Sequence, residues 1–372
     1  MIILLKINHR NNLKDFRIYV ANTLPPPSAV FRYAEDIVKA CNPRALNIDM
    51  VLDNSRWPDE TGHLRVNGSF GNHYIFNSVF SGISMRSFSK QLNVELDKEK
   101  IVHYAHESVP PVSDNIYRSV VTIHENPFAR LNTDLYSKYS GNDNERMIKI
   151  FRRRLYKKYA RFPNLIANTE YVRKSLIEYG FEGNIKTINP AVSSGFFHIE
   201  RSKPEIRKEL NLPIEKKLIL SVSSNVKRKN LATIAKLQKV LGIDFKIVSI
   251  GYNLEDSINL SHLTQDVLNK VYNACDLLLY PSLEEGFGYP VVEAFVVGLP
   301  VVASNIDPIL ETSGNAAITV DPMNVGEIKS SINDALSIRS ELIKRGFSRA
   351  EHFTIERFRK DLLDFYGNII KL

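Results

Sequence analysis

Short apolar runs alternate with segments of helical period along most of this chain. That alternation restricts it to an α/β class in which parallel strands are joined by crossover helices. In the first half, FRIYVA (16–21), LNIDMVL (46–52), KIVHYAH (100–106), SVVTIH (119–124) and NLIANT (164–169) read as strands. In the second half, KKLILSVSS (216–224), DFKIVSIG (244–251), CDLLLYPS (275–282), PVVASN (300–305) and AAITVDP (316–322) do the same. Two doubly wound, Rossmann-like sheets are expected, one after the other. Turn formers and a polar stretch between residues 188 and 207 interrupt the pattern, which places domains at 1–195 and 196–352. FTIERFRKDLLDFYGNIIKL is an amphipathic helix with no strand after it, and residues 353–372 are expected to cross back onto the N-terminal domain.

The 372 residues, 44% hydrophobic and 24% charged, are those of a globular protein and exclude a disordered chain. Cys41 and Cys275 stand far apart, and the apolar start MIILL is too short for a signal peptide or a membrane span, so a reduced, cytoplasmic protein is expected. The net charge of +8 is uneven: residues 201–250 hold 12 basic and 4 acidic side chains, and 251–300 hold 1 and 7. A local basic patch of that kind suits an anionic small ligand. A second run, RMIKIFRRRLYKKYAR (146–161), carries eight basic residues and no acid. Its apolar positions Ile148, Phe151, Leu155, Tyr159 and Phe162 form a helical stripe, so the opposite face is basic. An anionic membrane surface, reached peripherally from the inner face, is the partner expected there; nucleic acid is not.

CDLLLYPSLEEGFGYPVVEAFVVGLPVVASN (275–305) reads as strand, loop, helix, turn and strand, with Pro290 in the first helical turn. Backbone amides around Val291 and Val292 are expected to stand free at the helix N-terminus, where they and the dipole receive a diphosphate without a metal. Gly286 and Gly288 let the loop approach a ligand closely, with Phe287 between them. A carboxylate accepts from two vicinal hydroxyls, so Glu293 suits a ribose and Glu285 a hexose. A lone glutamate reads first as a charge at a helix start or in a tight turn; the whole constellation points to the ligand. Upstream, LILSVSSNVKRKNLATI places Lys227, Arg228 and Lys229 at a strand-to-helix turn, as a clamp for a departing diphosphate or as a solvated turn.

These residues resemble glycosyltransferase family 4, whose signature is a Glu-x7-Glu spacing inside an EGFG-P-EA-G-PVVAS string; Glu285 and Glu293 have that spacing and the string spans 281–304. The resemblance implies the GT-B fold, two Rossmann-like domains facing across a cleft. It implies a retaining hexosyltransferase that moves a sugar from a nucleoside-diphosphate donor, GDP-mannose or a UDP-sugar, to a glycan or lipid-linked acceptor in cell-surface polysaccharide synthesis. No cofactor or metal is implied, the donor being a co-substrate. The basic turn is similar to the family's VGR-x3-RKN segment, with Lys229 on its lysine, Ser224 where the arginine usually stands, and Arg228 as the substitute. The VxTxH motif matches 120–124 and sets His124 over the donor sugar. Glu285 then orients the hexose, Glu293 the ribose, and backbone near Leu263 the nucleobase.

The first domain departs from the family where LPPPSAVFRYAEDI replaces a Gly-Gly turn: Pro27, Ser28 and Ala29 occupy it, and proline donates no amide. Arg32 follows and is a candidate for the acceptor side, as is His106 of the strand-end pair His106-Glu107; for a lone strand-end histidine a hydrogen-bonded structural role is the default. HYAHE also admits a metal reading through His103, His106 and Glu107, against which His103 and His106 point to opposite strand faces. A nicotinamide dehydrogenase lacks its third glycine, since Val291 stands there, and no Walker loop is present. A GT-B nucleotide-sugar-binding or epimerase-like protein without transfer is the remaining alternative.

Overall fold

The computed structural model describes residues 2–9, 13–21, 29–41, 46–48, 100–107, 116–131, 145–192 and 195–370. They form two compact units, the chain passing from the first to the second after Ala191 and returning to the first at Ile355. The segment of Pro27 and Ser28 lies outside the described residues, as do residues 49–52 of the predicted strand LNIDMVL.

Unit 1 is built on strands β1 (Ile2–His9), β2 (Leu13–Ala21), β3 (Leu46–Ile48), β4 (Lys100–Tyr104), β5 (Ser119–Ile123), β6 (Asn164–Ala167) and β7 (Asn184–Thr187), in the order β3-β1-β2-β4-β5-β6-β7. From β2 to β7 the pairing is parallel. The edge is not: β1 runs antiparallel to both β2 and β3. Only residues 10–12 connect β1 to β2, which leaves room for a hairpin but not for a crossover helix.

Helices α1 (Ala29–Cys41), α2 (Pro127–Leu131), α3 (Glu145–Tyr159), α4 (Glu170–Glu178) and the C-terminal helix (Ile355–Ile370) cover this sheet. β5 and β6 are buried along their whole length, so successive residues feed two cores. Val121, Ile123 and Leu165 meet Leu155, Tyr156, Tyr159 and Phe162 on one side. On the other, Val120 and Ile166 meet Tyr33 and Ile37 of α1 and Phe358, Leu362, Phe365 and Tyr366 of the C-terminal helix. Arg359 fastens the two helices, its Nε donating to the carbonyl of Ala40 at 2.6 Å near the C-terminus of α1. Leu155, Tyr159 and Phe162 thus lie inward as the helical stripe requires, while Lys149, Arg153, Arg154, Lys157, Lys158 and Arg161 are exposed.

Unit 2 holds β8 (Lys217–Val222), β9 (Phe245–Ile250), β10 (Ile258–Leu260), β11 (Leu277–Tyr280), β12 (Val301–Ser304) and β13 (Ile318–Val320), all parallel, in the order β10-β9-β8-β11-β12-β13. Its helices are α5 (Lys203–Glu209), α6 (Leu231–Val240), α7 (Gln265–Ala274), α8 (Tyr289–Val297), α9 (Asp307–Ser313), α10 (Val325–Ser337) and α11 (Arg339–Ala350). The strand order reverses between β8 and β11. At such a reversal the connections leave in opposite directions and open a crevice beyond the carboxyl ends of the two strands. Among the described residues, no helix is long and apolar enough to cross a membrane.

Asp36 on α1 is buried, and burial pushes its carboxyl up to about 7 against the opposing charges of Lys39 and Arg32. The folded carboxyl therefore keeps its proton where an unfolded aspartate, near 3.8, has lost it. Its contribution is complete below about pH 4 and is lost as pH rises through about 7. In urea melts the midpoint of Asp36→Asn should rise relative to that of the wild type between pH 5 and pH 8, because groups that titrate alike in both proteins cancel in the comparison. An equal slope in both proteins would show that Asp36 is not the group responsible.

Candidate functional site

At the strand reversal of unit 2, β8 runs into a 3-10 turn at Lys227–Lys229 and β11 runs into the loop 281–288. The two loops are tied together. Asn230, left-handed at φ 56°, ends the turn and donates from Nδ2 to the carbonyls of Pro281 (3.0 Å) and Pro322 (2.7 Å). The Leu283 N–H donates to the carbonyl of Arg228 at 2.7 Å.

This tie brings Glu285 between two cations. Its Oε2 accepts from Arg228 at 2.9 Å and its Oε1 from Lys229 at 2.5 Å. The Tyr280 hydroxyl donates to Oε1 at 2.7 Å and itself accepts from Lys229 at 2.9 Å. Burial alone would raise the Glu285 carboxyl, but the Lys229 and Arg228 charges and these hydrogen bonds outweigh it and hold the group down to about 2. Burial, and then the Glu285 charge, push the Tyr280 phenol well above its ordinary value, so it stays a donor. Arg228 and Lys229 hold one carboxylate between them in a cluster whose side chains are 7–15% exposed. Two mostly buried cations brought together in this way suit an anion.

The loop then enters α8 through Gly288, whose φ of +89° an L side chain rarely adopts and whose added Cβ would stand 2.6 Å from Ile309 Cδ1. The expectation of free amides at this helix start needs correction. The Val291 N–H already donates to the Gly288 carbonyl at 3.0 Å, because the left-handed glycine closes the first turn tightly. Val291 and Val292 are fully buried, and Phe287 packs edge-on against Tyr289 and Phe353, so these three side chains belong to the core. Glu293 is buried on α8 and accepts from the Tyr272 hydroxyl at 2.6 Å. Gly286 is buried beside Glu285; Ser224 is exposed after β8, its carbonyl accepting from the Val226 N–H; Leu263 is half-buried just before α7.

The basic excess of residues 201–250 is not one surface. Arg207 is buried and donates to Asp276 Oδ2 at 2.6 Å, and Lys203 lies 3.5 Å from Oδ1 of the same aspartate. Those two cations are structural, which leaves the turn at Lys227–Lys229 as the basic element beside Glu285.

In unit 1, His124 follows β5 and is 6% exposed. Its Nε2 lies 2.7 Å from the Ala105 carbonyl. A carbonyl only accepts, so Nε2 carries the proton. Burial lowers the imidazole, although Glu107 and the Ala105 hydrogen bond oppose it. The neutral ring therefore keeps a lone pair on Nδ1. The His124 backbone is held at both ends: its N–H donates to Glu107 Oε2 at 3.1 Å, and its carbonyl accepts from Asn168 Nδ2 at 2.9 Å.

His106 stacks on His124, centroids 5.5 Å apart and planes 25° apart, and burial lowers it to about 4. Being neutral, it makes no ion pair with Glu107 at 3.6 Å. His103 faces the other side of β4 and bonds Tyr366 and Thr122, so the HYAHE residues do not converge on one point. Among the described residues, no three of His, Cys, Asp and Glu are grouped to hold a metal. Arg32 lies half-buried in the first turn of α1, one turn before Asp36. Tyr280, Tyr272, Glu107 and Asn168 were not singled out as partners of Glu285, Glu293 and His124; Tyr280, ending β11 five residues before Glu285, carried a positional signal.

Residues 202–349 match the family described as glycosyl transferases group 1. Among curated relatives, O-antigen chain mannosyltransferase B of Escherichia coli is 34% identical over 29% of this chain and 29% of its own length. The serotype-specific mannosyltransferase WbdA of Escherichia coli is 27% identical over 62% of this chain and 30% of its own. The alignments thus span less than a third of either relative. Among solved structures, WaaG, a glycosyltransferase involved in lipopolysaccharide biosynthesis, superposes with a TM-score of 0.70 at 13% identity over 94% of this chain and 98% of that one. That likeness shows the fold, GT-B, as expected from the sequence.

Removing the central carboxylate takes from Arg228 and Lys229 the counter-charge that lies between them. Glu285→Ala should destabilise unit 2 by about 3–5 kcal/mol, and added pyrophosphate should recover more of the melting temperature in the variant than in the wild type. Equal pyrophosphate responses would show that the cations do not form an anion site.

Proposed function

We propose that this chain is a retaining hexosyltransferase of polysaccharide synthesis, with a nucleoside-diphosphate sugar as donor and a glycan or lipid-linked acceptor. The observation that carries the reading is the Arg228–Glu285–Lys229 cluster at the strand reversal of unit 2. The match of residues 202–349 and the mannosyltransferase relatives support it. Mannose is accordingly the first sugar to test, and GDP-mannose the first donor, ahead of UDP-sugars.

In this reading the departing diphosphate lies against Lys229 and Arg228, which offset its charge as the glycosidic bond lengthens. Glu285 is ionised throughout and accepts from hexose hydroxyls, while Glu293 is assigned to the ribose and the backbone near Leu263 to the base. His124, neutral and with its Nδ1 lone pair available, accepts a hydrogen bond from a sugar hydroxyl. It does not act as a cation. The leaving phosphate oxygen takes the acceptor proton, since the reading assigns no protein base, and the sugar passes through an oxocarbenium-like state on the face it leaves. No metal is assigned to the reaction.

The exposed cations of α3, Lys149, Arg153, Arg154, Lys157 and Lys158, favour an anionic membrane as the place where a lipid-linked acceptor is met. Co-sedimentation with phosphatidylglycerol vesicles should be strong at low salt and lost in 1 M salt, on the order of a Debye length of 3 Å. Failure to bind at low salt removes this part of the reading.

The central test is transfer and donor hydrolysis, measured with GDP-mannose and UDP-sugars. Glu285→Gln and Lys229→Ala should each lower turnover by roughly 100-fold or more, the cost of losing one preorganised charge or donor. Full transfer by both folded variants would show the site to be wrongly placed. Donor binding without transfer or hydrolysis in the wild type would favour a nucleotide-sugar-binding protein instead.

A further inference from the structure

A buried line of four polar side chains crosses unit 1. The Tyr366 hydroxyl of the C-terminal helix meets His103 Nδ1 at 2.5 Å, and His103 Nε2 meets Thr122 Oγ1 at 2.7 Å. Thr122 Oγ1 in turn meets the Tyr33 hydroxyl of α1 at 3.0 Å. None of the four is more than 1% exposed. A neutral imidazole has one N–H and one lone pair, and a threonine hydroxyl donates once. The line is therefore satisfied when every proton points the same way along it, in either direction. Burial lowers His103 to about 3, which keeps its ring neutral and the line intact.

The line ends beside His124. The Tyr33 ring stands edge-on to the His124 imidazole, centroids 4.7 Å apart and planes at 89°. His106 lies stacked on His124 at 5.5 Å. The imidazole thus has one ring stacked on it and one ring edge against it, and a single hydrogen bond to Ala105 fixes its tautomer. The position of Tyr33 depends on other elements. The Thr122 hydroxyl on β5 holds its tip, and Phe358 of the C-terminal helix meets its ring at 5.5 Å and 61°. A valine in place of Thr122 or a phenylalanine in place of Tyr366 would fill similar space, yet the sequence retains four polar groups in an otherwise apolar core. A fully satisfied network of this kind rigidifies its surroundings and specifies one arrangement.

We propose that Tyr366, His103, Thr122 and Tyr33 form a positioning relay for His124, by which the C-terminal helix sets the placement of that imidazole. The four are positioning residues and touch no reacting atom. The kinetic consequence rests on the transferase reading; the placement of the ring does not.

The test uses the full chain labelled at histidine, with Thr122→Val, Thr122→Ser and Tyr366→Phe. Thr122→Val and Tyr366→Phe should shift the ring proton resonances of His124, while Thr122→Ser, which keeps the hydroxyl, should restore them. With GDP-mannose as donor, the first two variants should lower kcat on the order of tenfold, as small misplacements of a sugar-facing group do, with KM for the donor changed less than about twofold; Thr122→Ser should recover kcat. Tyr366→Phe removes one hydroxyl and keeps the proposal testable if Thr122→Val fails to fold. Unchanged His124 resonances in the folded variants overturn the relay whatever happens to kcat. Wild-type protein with no transfer or hydrolysis overturns the transferase reading alone, and the resonances still decide the relay.

Discussion

The carboxylate of Glu285 is the point on which the rest of unit 2's site depends. It bridges the turn after β8 and the loop after β11, two segments more than fifty residues apart that neighbour each other only because the strand order reverses between them. A lone buried carboxylate is costly; one held by a guanidinium, an ammonium and a phenol is not, and its charge state is settled well outside the physiological range. The same contacts keep two cations at close quarters that would otherwise repel. Structure and electrostatics are here one arrangement: the group that joins the loops also sets the sign and size of the charge they present.

Unit 1 solves a different problem with neutral groups. His103, His106 and His124 are buried, and burial keeps them uncharged, so geometry rather than charge defines what His124 can do. The Ala105 carbonyl selects the tautomer, Glu107 and Asn168 fix the backbone, and two rings fix the side chain's surroundings. A cationic histidine there would need no such framing to attract an anion. A neutral one is useful only if its lone pair points in a defined direction.

The legible part of the fold was that governed by burial on both faces. KKLILSVSS, CDLLLYPS and PVVASN announce β8, β11 and β12 because continuous apolar runs have few other uses, and the trimmed ends are prolines, Cys275 and polar residues outside the paired strands. β7 and β10 were not announced: NIKT is a polar strand with partly exposed residues, and INL has three residues, too few for any period to show. β1 was read only as a short apolar start; its hairpin with β2 depends on a connection length, not on a pattern of its own. In the site, Glu285, Arg228 and Lys229 were recognisable by spacing and type, and the structure brings those three together. The tyrosines that complete the glutamates were not, since hydroxyl partners on other elements leave no local signature. The tight bond from Val291 to Gly288 escaped for a similar reason, as a helix start can be placed from proline and glycine while its hydrogen-bond pattern cannot.

The return of the chain to unit 1 after Thr354 has a consequence for assembly. One face of the first unit's sheet draws part of its core from Phe358, Leu362, Phe365 and Tyr366, residues made after the whole of Val192–Thr354. During synthesis the earlier-born unit must therefore wait with an apolar face uncovered, while the later-born one, whose strands all lie between Lys217 and Val320, has them in hand. The order of completion is the reverse of the order of translation, and the interval before the last helix arrives is when this chain is most exposed to aggregation.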